Sequence, residues 1–226
     1  TKDILRGIAL PAQIGALAGP TTNLAVVDNY GIELGLNYQG NIGNDFSYRI
    51  GGNFTYIKNN VVDLNGETII SGGRITEEGF PIDSWYVLQT DGLFQSQEEV
   101  DNYPTITNRV GPGDIKYVDR NKDGVIDGKD RYIAGNTFPT YTYGFNIGFS
   151  YKSFSLSTIW QGVGDISVRP NNNMASPFNN GAGITKDWLT DSWTPENKDA
   201  RLPRITTRNQ YTAENFSDSD FWLEDA

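Results

Sequence analysis

Tyr141-Thr-Tyr143-Gly-Phe145-Asn-Ile147-Gly-Phe149-Ser-Tyr151 alternates between large apolar and small polar residues without a fault. Period two sends successive side chains to opposite faces, so the run predicts a strand with one apolar and one polar face. Lys152 and Ser153 make a short turn, and Phe154-Ser-Leu156-Ser-Thr158-Ile-Trp160-Gln161 predicts the next strand. The same grammar occurs twice upstream. Ile32, Leu34, Leu36 and Tyr38 alternate with Glu33, Gly35 and Asn37; Phe46, Tyr48, Ile50, Phe54 and Tyr56 alternate with Ser47, Arg49, Gly51, Asn53 and Thr55. No charge falls on the apolar parity of any of the four strands, since Glu33 and Arg49 both lie on the other.

A soluble β-sandwich and a membrane barrel both accept such strands, and three details favour the barrel. The strand at 141–151 has about the length that crosses a bilayer at a tilt. Tyr141, Tyr143 and Tyr151 sit at its ends with Phe145, Ile147 and Phe149 between, as aromatic girdles around an apolar band require. The turns at 40–45 and 152–153 are short, whereas the connections at 58–140 and 162–219 are very long, which is the outer-membrane barrel pattern. The predicted fold class is therefore all-β: a partial antiparallel transmembrane β-barrel with long extracellular loops. Strands near 31–39, 46–57, 141–151 and 154–161 should be consecutive antiparallel neighbours.

Composition changes this picture little. No run of about eighteen apolar residues exists, so no transmembrane helix is predicted; the mean hydropathy of -0.48 is compatible with barrel strands, half of whose residues are polar. A net charge of -10 argues against nucleic acid as a partner. The chain has no cysteine and no histidine, which removes a disulfide scaffold and the commonest general base. It opens at Thr1 without methionine and closes on Asp220-Phe-Trp-Leu-Glu-Asp-Ala226, which reads as a strand being entered. Residues 1–226 thus read as part of one barrel domain of a longer protein, with Thr1–Ile8 ending a strand and 9–29 forming a loop. A signal peptide over Lys2–Gly19 is disfavoured by Asp3, Pro11, Gln13 and Gly15.

The densest chemistry lies at Asp119-Arg-Asn121-Lys-Asp123-Gly124-Val125-Ile-Asp127-Gly-Lys-Asp130. Oxygen-bearing side chains fall at positions 1, 3, 5, 9 and 12 and glycine at position 6, the ligand order of a twelve-residue calcium loop with Asp130 in place of the usual Glu. The Val125 carbonyl would supply the seventh-position oxygen. Four aspartates so close repel one another without a cation. The candidate metal ligands are Asp119, Asn121, Asp123, Val125, Asp127 and Asp130, and the expected ion is a structural Ca2+, with Mg2+ the second choice. The bland alternative is a polar turn. Paired carboxylates could also suggest glycoside hydrolysis, but no second motif positions a nucleophile, so no enzyme is expected.

Gly113-Asp-Ile-Lys-Tyr117-Val-Asp119 through Asp130-Arg131, then Gly135-Asn136, Pro139 and Tyr143-Gly144-Phe145-Asn146, resembles the C-terminal barrel half of SusC/RagA-type TonB-dependent transporters. Thr1–Leu5, Asn29–Leu34, Gly79–Ile82, Asp91–Phe94, Trp160–Gly162, Trp193–Asn197 and Pro203-Arg204 are similar to that family in the same order. The resemblance implies an outer-membrane barrel of Bacteroidetes, bathed in outer-membrane lipid, that imports oligosaccharide or peptide fragments. It implies a SusD-like surface lipoprotein as partner, and TonB coupling through a plug and TonB box that this sequence lacks, as it lacks the final strands. The alternative is a secreted, calcium-stabilised β-rich binding module or adhesin.

Two weaker features remain. Ile184, Trp188 and Leu189 share one face of a short helix within 184–197, whose aromatics either contact sugar or pin the loop; pinning is expected. Asn171–Asn173 with Met174, Ser176 and Pro177 reads as an exposed loop.

Overall fold

The structure, a computed structural model, describes residues 4–7, 21–170, 176–178, 181–206 and 215–226. In chain order its strands are β1 (Ile4–Gly7), β2 (Thr21–Ile42), β3 (Phe46–Asp63), β4 (Ile69–Ser71), β5 (Arg74–Thr76), β6 (Ser84–Leu88), β7 (Thr90–Leu93), β8 (Ile115–Tyr117), β9 (Arg131–Gly135), β10 (Tyr141–Tyr151), β11 (Phe154–Gly164), β12 (Ser167–Val168) and β13 (Glu224–Asp225). Two single-turn helices, α1 (Gln97–Asp101) and α2 (Lys186–Thr190), interrupt them. The chain divides into two compact units: Thr1–Ser84 with Gly135–Ser167 and Asp225–Ala226, and Trp85–Ala134 with Val168–Glu224.

The first unit is built on a five-stranded antiparallel sheet in the order β1-β2-β3-β10-β11. The four predicted strands are consecutive neighbours in it, as the alternation requires. Their lengths differ from the prediction. β2 begins at Thr21, so residues 21–29 are strand rather than loop; a register shift between Val26 and Val27 breaks the alternation on which pattern reading depends. β3 runs on to Asp63 and β11 to Gly164, so the long connections start later than 58 and 162. At the end of β2 and β3 away from the tight turns, Ala25, Val27, Val61 and Leu64 are buried against one another, with Ile69 and Ile82 packed beside them.

Register fixes the faces. Leu34, Phe54, Tyr143 and Gly162 form one row across the sheet, and Tyr38, Ile50, Ile147 and Thr158 another. Every position of that parity from Ile32 to Ile42, Phe46 to Tyr56, Tyr141 to Tyr151 and Phe154 to Gly164 is apolar, glycine or threonine. Two tight turns close the hairpins at one end. Gly43 takes φ 63 in the first and Lys152 φ 54 in the second, the left-handed backbone such turns demand.

The second unit gathers residues 85–134 of the first long connection and 168–224 of the second into one body. Leu93, Ile115, Tyr117, Ile126, Trp188, Trp193, Leu202 and Trp222 are buried together, so residues from both connections share one core. A smaller cluster of Phe94, Val100 and Val110 adjoins α1. Ser96 caps α1 by accepting from the Glu99 amide, with Glu98 and Glu99 in the first turn where the helix dipole favours acids. Of residues 220–226, read from sequence as a strand being entered, 220–222 form one 3-10 turn that buries Trp222, whose indole N–H donates to the Asn215 carbonyl at 2.8 Å, and strand begins only at Glu224.

Candidate functional site

Three features carry chemistry: the two faces of the sheet, the aspartate loop, and the buried polar groups that tie the second unit together.

The apolar face is open. Ile32, Leu34, Leu36 and Tyr38 each expose 60% or more of their surface, and Phe145, Ile147 and Phe149 about 40%. A soluble protein rarely leaves a continuous face of this kind to water. The aromatic residues are ordered along it. Phe54, Tyr56 and Tyr141 pack together at the end away from the turns, and Tyr38, Tyr48, Phe46 and Phe149 at the turn end. Between them Phe145 stacks on Trp160. Tyr143 lies over Gly162, where an added Cβ would come within 2.6 Å of Tyr143 Cε2. The glycine makes room for the ring, and the ring covers bare backbone.

The opposite face carries Glu33, Gly35, Asn37, Gln39 and Asn41 on β2, then Ser47, Arg49, Gly51, Asn53 and Thr55 on β3. β10 adds Thr142, Gly144, Asn146, Gly148 and Ser150. β11 adds Ser155, Ser157 and Gln161, but also Ile159 and Val163. Near the turns this face holds a groove of 480 Å³ lined by Gln39, Asn41, Arg49, Asn146 and several serines. Ser150 and Ser155 hydroxyls lie 2.8 Å apart across the last row.

The aspartate loop is shaped by its own side chains. Asp119 Oδ2 accepts from the Gly124 amide at 2.8 Å, Asn121 Oδ1 from Asp123 at 2.9 Å, and Asp123 Oδ1 from Val125 at 3.0 Å. Gly124 has φ 84, the sharp turn that position six needs. Asp127 caps a 3-10 turn over Gly128–Asp130 by accepting from Lys129, and Asp130 Oδ2 accepts in return from the Asp127 amide at 2.9 Å. Asp130 is fully buried, and its Oδ1 takes the Arg120 and Asn121 amides at 2.9 and 3.3 Å. Ile126 drops into the main core of the unit. Among the described residues no three acidic side chains are drawn together around one point. Within the loop, Asp119 Oδ1 is buried and finds no hydrogen-bond donor among the described residues.

Buried polar groups bind the two connections of the second unit. Asp114, 1% exposed, receives Arg204 Nε at 2.7 Å and Nη2 at 2.6 Å, and Asn215 Nδ2 at 2.9 Å. Asp218 takes both Arg131 and Arg169, and Asp220 takes the Thr90 and Tyr132 hydroxyls at 2.6 and 2.9 Å. Lys116 bridges Glu99 at 3.1 Å and Asp91 at 3.2 Å. Burial pulls the Lys116 ammonium down, but its hydrogen bonds and charge attraction to Glu99 and Asp91 outweigh this and hold it above the ordinary lysine range. Glu99 is held below the usual carboxylate range, first by the Gln95 amide and then by Lys116, against an opposing push from burial. Burial raises the Tyr117 phenol.

The helix predicted within 184–197 is present over Lys186–Thr190, but its buried face differs. Trp188 is 1% exposed and Ile184 packs on the same core, whereas Leu189 is 71% exposed. Each residue of helix advances about 100° around the axis, so Leu189, one position on from Trp188, is turned too far to share its side. The tryptophans pin the unit's own interior, and Trp193 Nε1 donates to Gln95 Oε1 at 3.1 Å. Residues 171–175, part of the proposed exposed loop, lie outside the described residues. Sequence spacing offered no sign of Asp114, Arg204 or Asn215, because the partners stand 90 and 101 positions apart.

This arrangement has close structural counterparts. The RagAB peptide transporter superposes on the chain with a TM-score of 0.70 at 20% identity, covering 99% of this chain and 24% of that one. The RagAB peptide importer in its open-open state gives 0.66 at 19%. By sequence, TonB-dependent receptor P26 of Formosa agariphila is 28% identical over 213 residues, which is 90% of this chain and 21% of that protein. TonB-dependent receptor SusC of Bacteroides thetaiotaomicron is 26% identical over 172 residues, 70% of this chain and 16% of SusC. The chain is SusC/RagA-like. No family model matches it. The SusC/RagA-like chain spans less than a quarter of the length of these relatives, and its all-β, antiparallel sheet corresponds to part of the RagAB transporter fold.

Proposed function

We propose that this chain forms part of the wall and the outer loops of an outer-membrane TonB-dependent importer. The observation that carries this reading is the open face without a charge, with its tyrosines toward the two ends, backed by a face rich in Gly, Asn, Ser and Thr. Lipid satisfies the first face and water the second. The protein transports rather than catalyses, and the relatives named as TonB-dependent receptors and peptide importers support this. Its cargo is an oligosaccharide or peptide fragment, taken with a SusD-like surface lipoprotein and driven by TonB through parts of the parent outside these residues. Both long connections leave from the strand ends away from the tight turns, which supports an extracellular course for the two together.

The test uses the full-length parent expressed in its own outer membrane. It should fractionate with that membrane and require detergent for extraction. Deleting it should abolish growth on one class of glycan or peptide, and affinity purification should recover a lipoprotein encoded beside it. Recovery as a compact monomer without detergent would instead favour a secreted, calcium-stabilised β module.

Asp119 Oδ1 supports a second reading, that the aspartate loop holds a structural Ca2+. A buried carboxylate oxygen without a donor is costly unless a cation meets it. Asp119, Asn121, Asp123, the Val125 carbonyl, Asp127 and Asp130 make up an all-oxygen set, which suits calcium before magnesium. Calorimetry on the chelated parent should show calcium binding that an Asp123→Ala, Asp130→Ala variant lacks. Equal heats in both proteins would leave a polar turn.

A further inference from the structure

We propose that Arg49, in the groove on the polar face of the sheet, binds a carboxylate; the inference rests on the reading of that face as the wet wall of a barrel. The exposed Arg49 guanidinium makes no hydrogen bond or ion pair with any described residue, although the chain carries 28 acidic residues against 18 basic ones. Register shows why nothing nearby answers it. Its row reads Gln39, Arg49, Gly148, Ser157. The row toward the turns reads Asn41, Ser47, Ser150, Ser155, and the row on the other side Asn37, Gly51, Asn146, Ile159. No acid occupies these three rows, and Glu33 is three rows beyond Arg49 along the strand. Gly148, beside Arg49 in the row, carries no side chain; an added Cβ there would meet only Leu156 O and Ser157 Oγ, at 3.8 and 3.9 Å. Asn146 leans over Gly51 instead, where an added Cβ would lie 2.6 Å from its Nδ2. The result is a notch of neutral amides and hydroxyls around a single cation, opening on a groove of 480 Å³.

A guanidinium presents paired N–H donors that match the two oxygens of a carboxylate. The amides of Gln39 and Asn146 and the hydroxyl of Ser157 can complete its hydrogen bonds. A planar carboxylate therefore fits better than a neutral hydroxyl, which would leave the charge unanswered. The carboxylate has two sources: an acidic side chain from another part of the parent, which occupies over three quarters of the relatives' length, or an acidic solute in the lumen.

Phenylglyoxal, which modifies accessible arginine, separates them when adduct formation at Arg49 is followed by peptide mass spectrometry on the detergent-extracted parent. Protection without added solute, lost in 1 M sodium chloride as an ion pair is screened, identifies a protein carboxylate. Protection that appears only on adding glutarate, and not with sodium chloride of equal ionic strength, identifies a solute site. Modification at the rate of free acetylarginine in the same buffer, with or without glutarate, overturns the proposal, as does protection indifferent to both salt and glutarate, which is steric cover alone. Flotation of the same protein with lipid vesicles tests the barrel independently: failure to float sinks the wall reading, whereas reactive Arg49 in protein that floats sinks only this one.

Discussion

Phe145 on β10 and Trp160 on β11 stack with ring centroids 5.7 Å apart and planes 10° from parallel, directly opposite one another in the strand register. The pair sits midway between the two aromatic clusters of the open face. Such stacking adds roughly 0.5–1.5 kcal/mol beyond the area it covers, and it fixes which way this hairpin presents its broad side.

The two faces should respond oppositely to charge. Ile147 lies beside Phe145 on the open face, and Asn146 between them points to the groove side. Ile147→Arg should destabilise the membrane-inserted parent by about 2–4 kcal/mol, and Asn146→Arg by far less. Denaturant titration in lipid measures both, and equal tolerance would remove the case for a membrane barrel.

Sidedness follows from the turns. An epitope inserted at Asn65, beyond β3 in an exposed turn, should be reached by antibody on intact cells, and one at Ser153 should not. Labelling before and after permeabilisation reads this out, and the reverse pattern would invert the topology.

Arg204→Ala should leave Asp114 charged and buried with only Asn215 and the Gly111 amide to meet it. Removing one partner of a buried pair costs about 3–5 kcal/mol. Hydrogen exchange should therefore rise across both connections of the second unit, while amides in β3 and β10 keep their protection. Exchange confined to the neighbourhood of residue 204 would show that the pair is local.

The Lys116–Glu99 bridge makes the second unit sensitive to pH at both extremes. Glu99 has its folded pKa depressed, so its contribution is present above the ordinary carboxylate value of 4.5 and fades as pH falls through the lowered one. Lys116 has its folded pKa raised, so its contribution is complete below 10.5 and fades as pH climbs through the higher value. Glu99→Gln should flatten the acid limb of a thermal-stability profile for the parent. An unchanged acid limb would assign it to other carboxylates.

The sheet was legible because its signal is local: β10 occupies the residues that alternation marks, and the apolar parity holds across every paired strand. Legibility failed where period two failed, at the bulge of Val26 and Val27. The aspartate loop could be read for its turn, since each Asx contact spans two to ten residues. The second unit could not be read, because its order comes from contacts across a hundred positions that no spacing announces. Leu189 shows the limit on a smaller scale: five residues of helix are too few for periodicity to say which side faces inward.

The union of Asp114 with Arg204 and Asn215 bears on how such loops can change. The three residues come from two separate connections, each inserted between different strands. Replacing one connection with its counterpart from a relative would strand a carboxylate in the interior unless the other brought a matching cation. The two segments should therefore be exchanged as a pair, and a laboratory graft should move 85–134 together with 168–224.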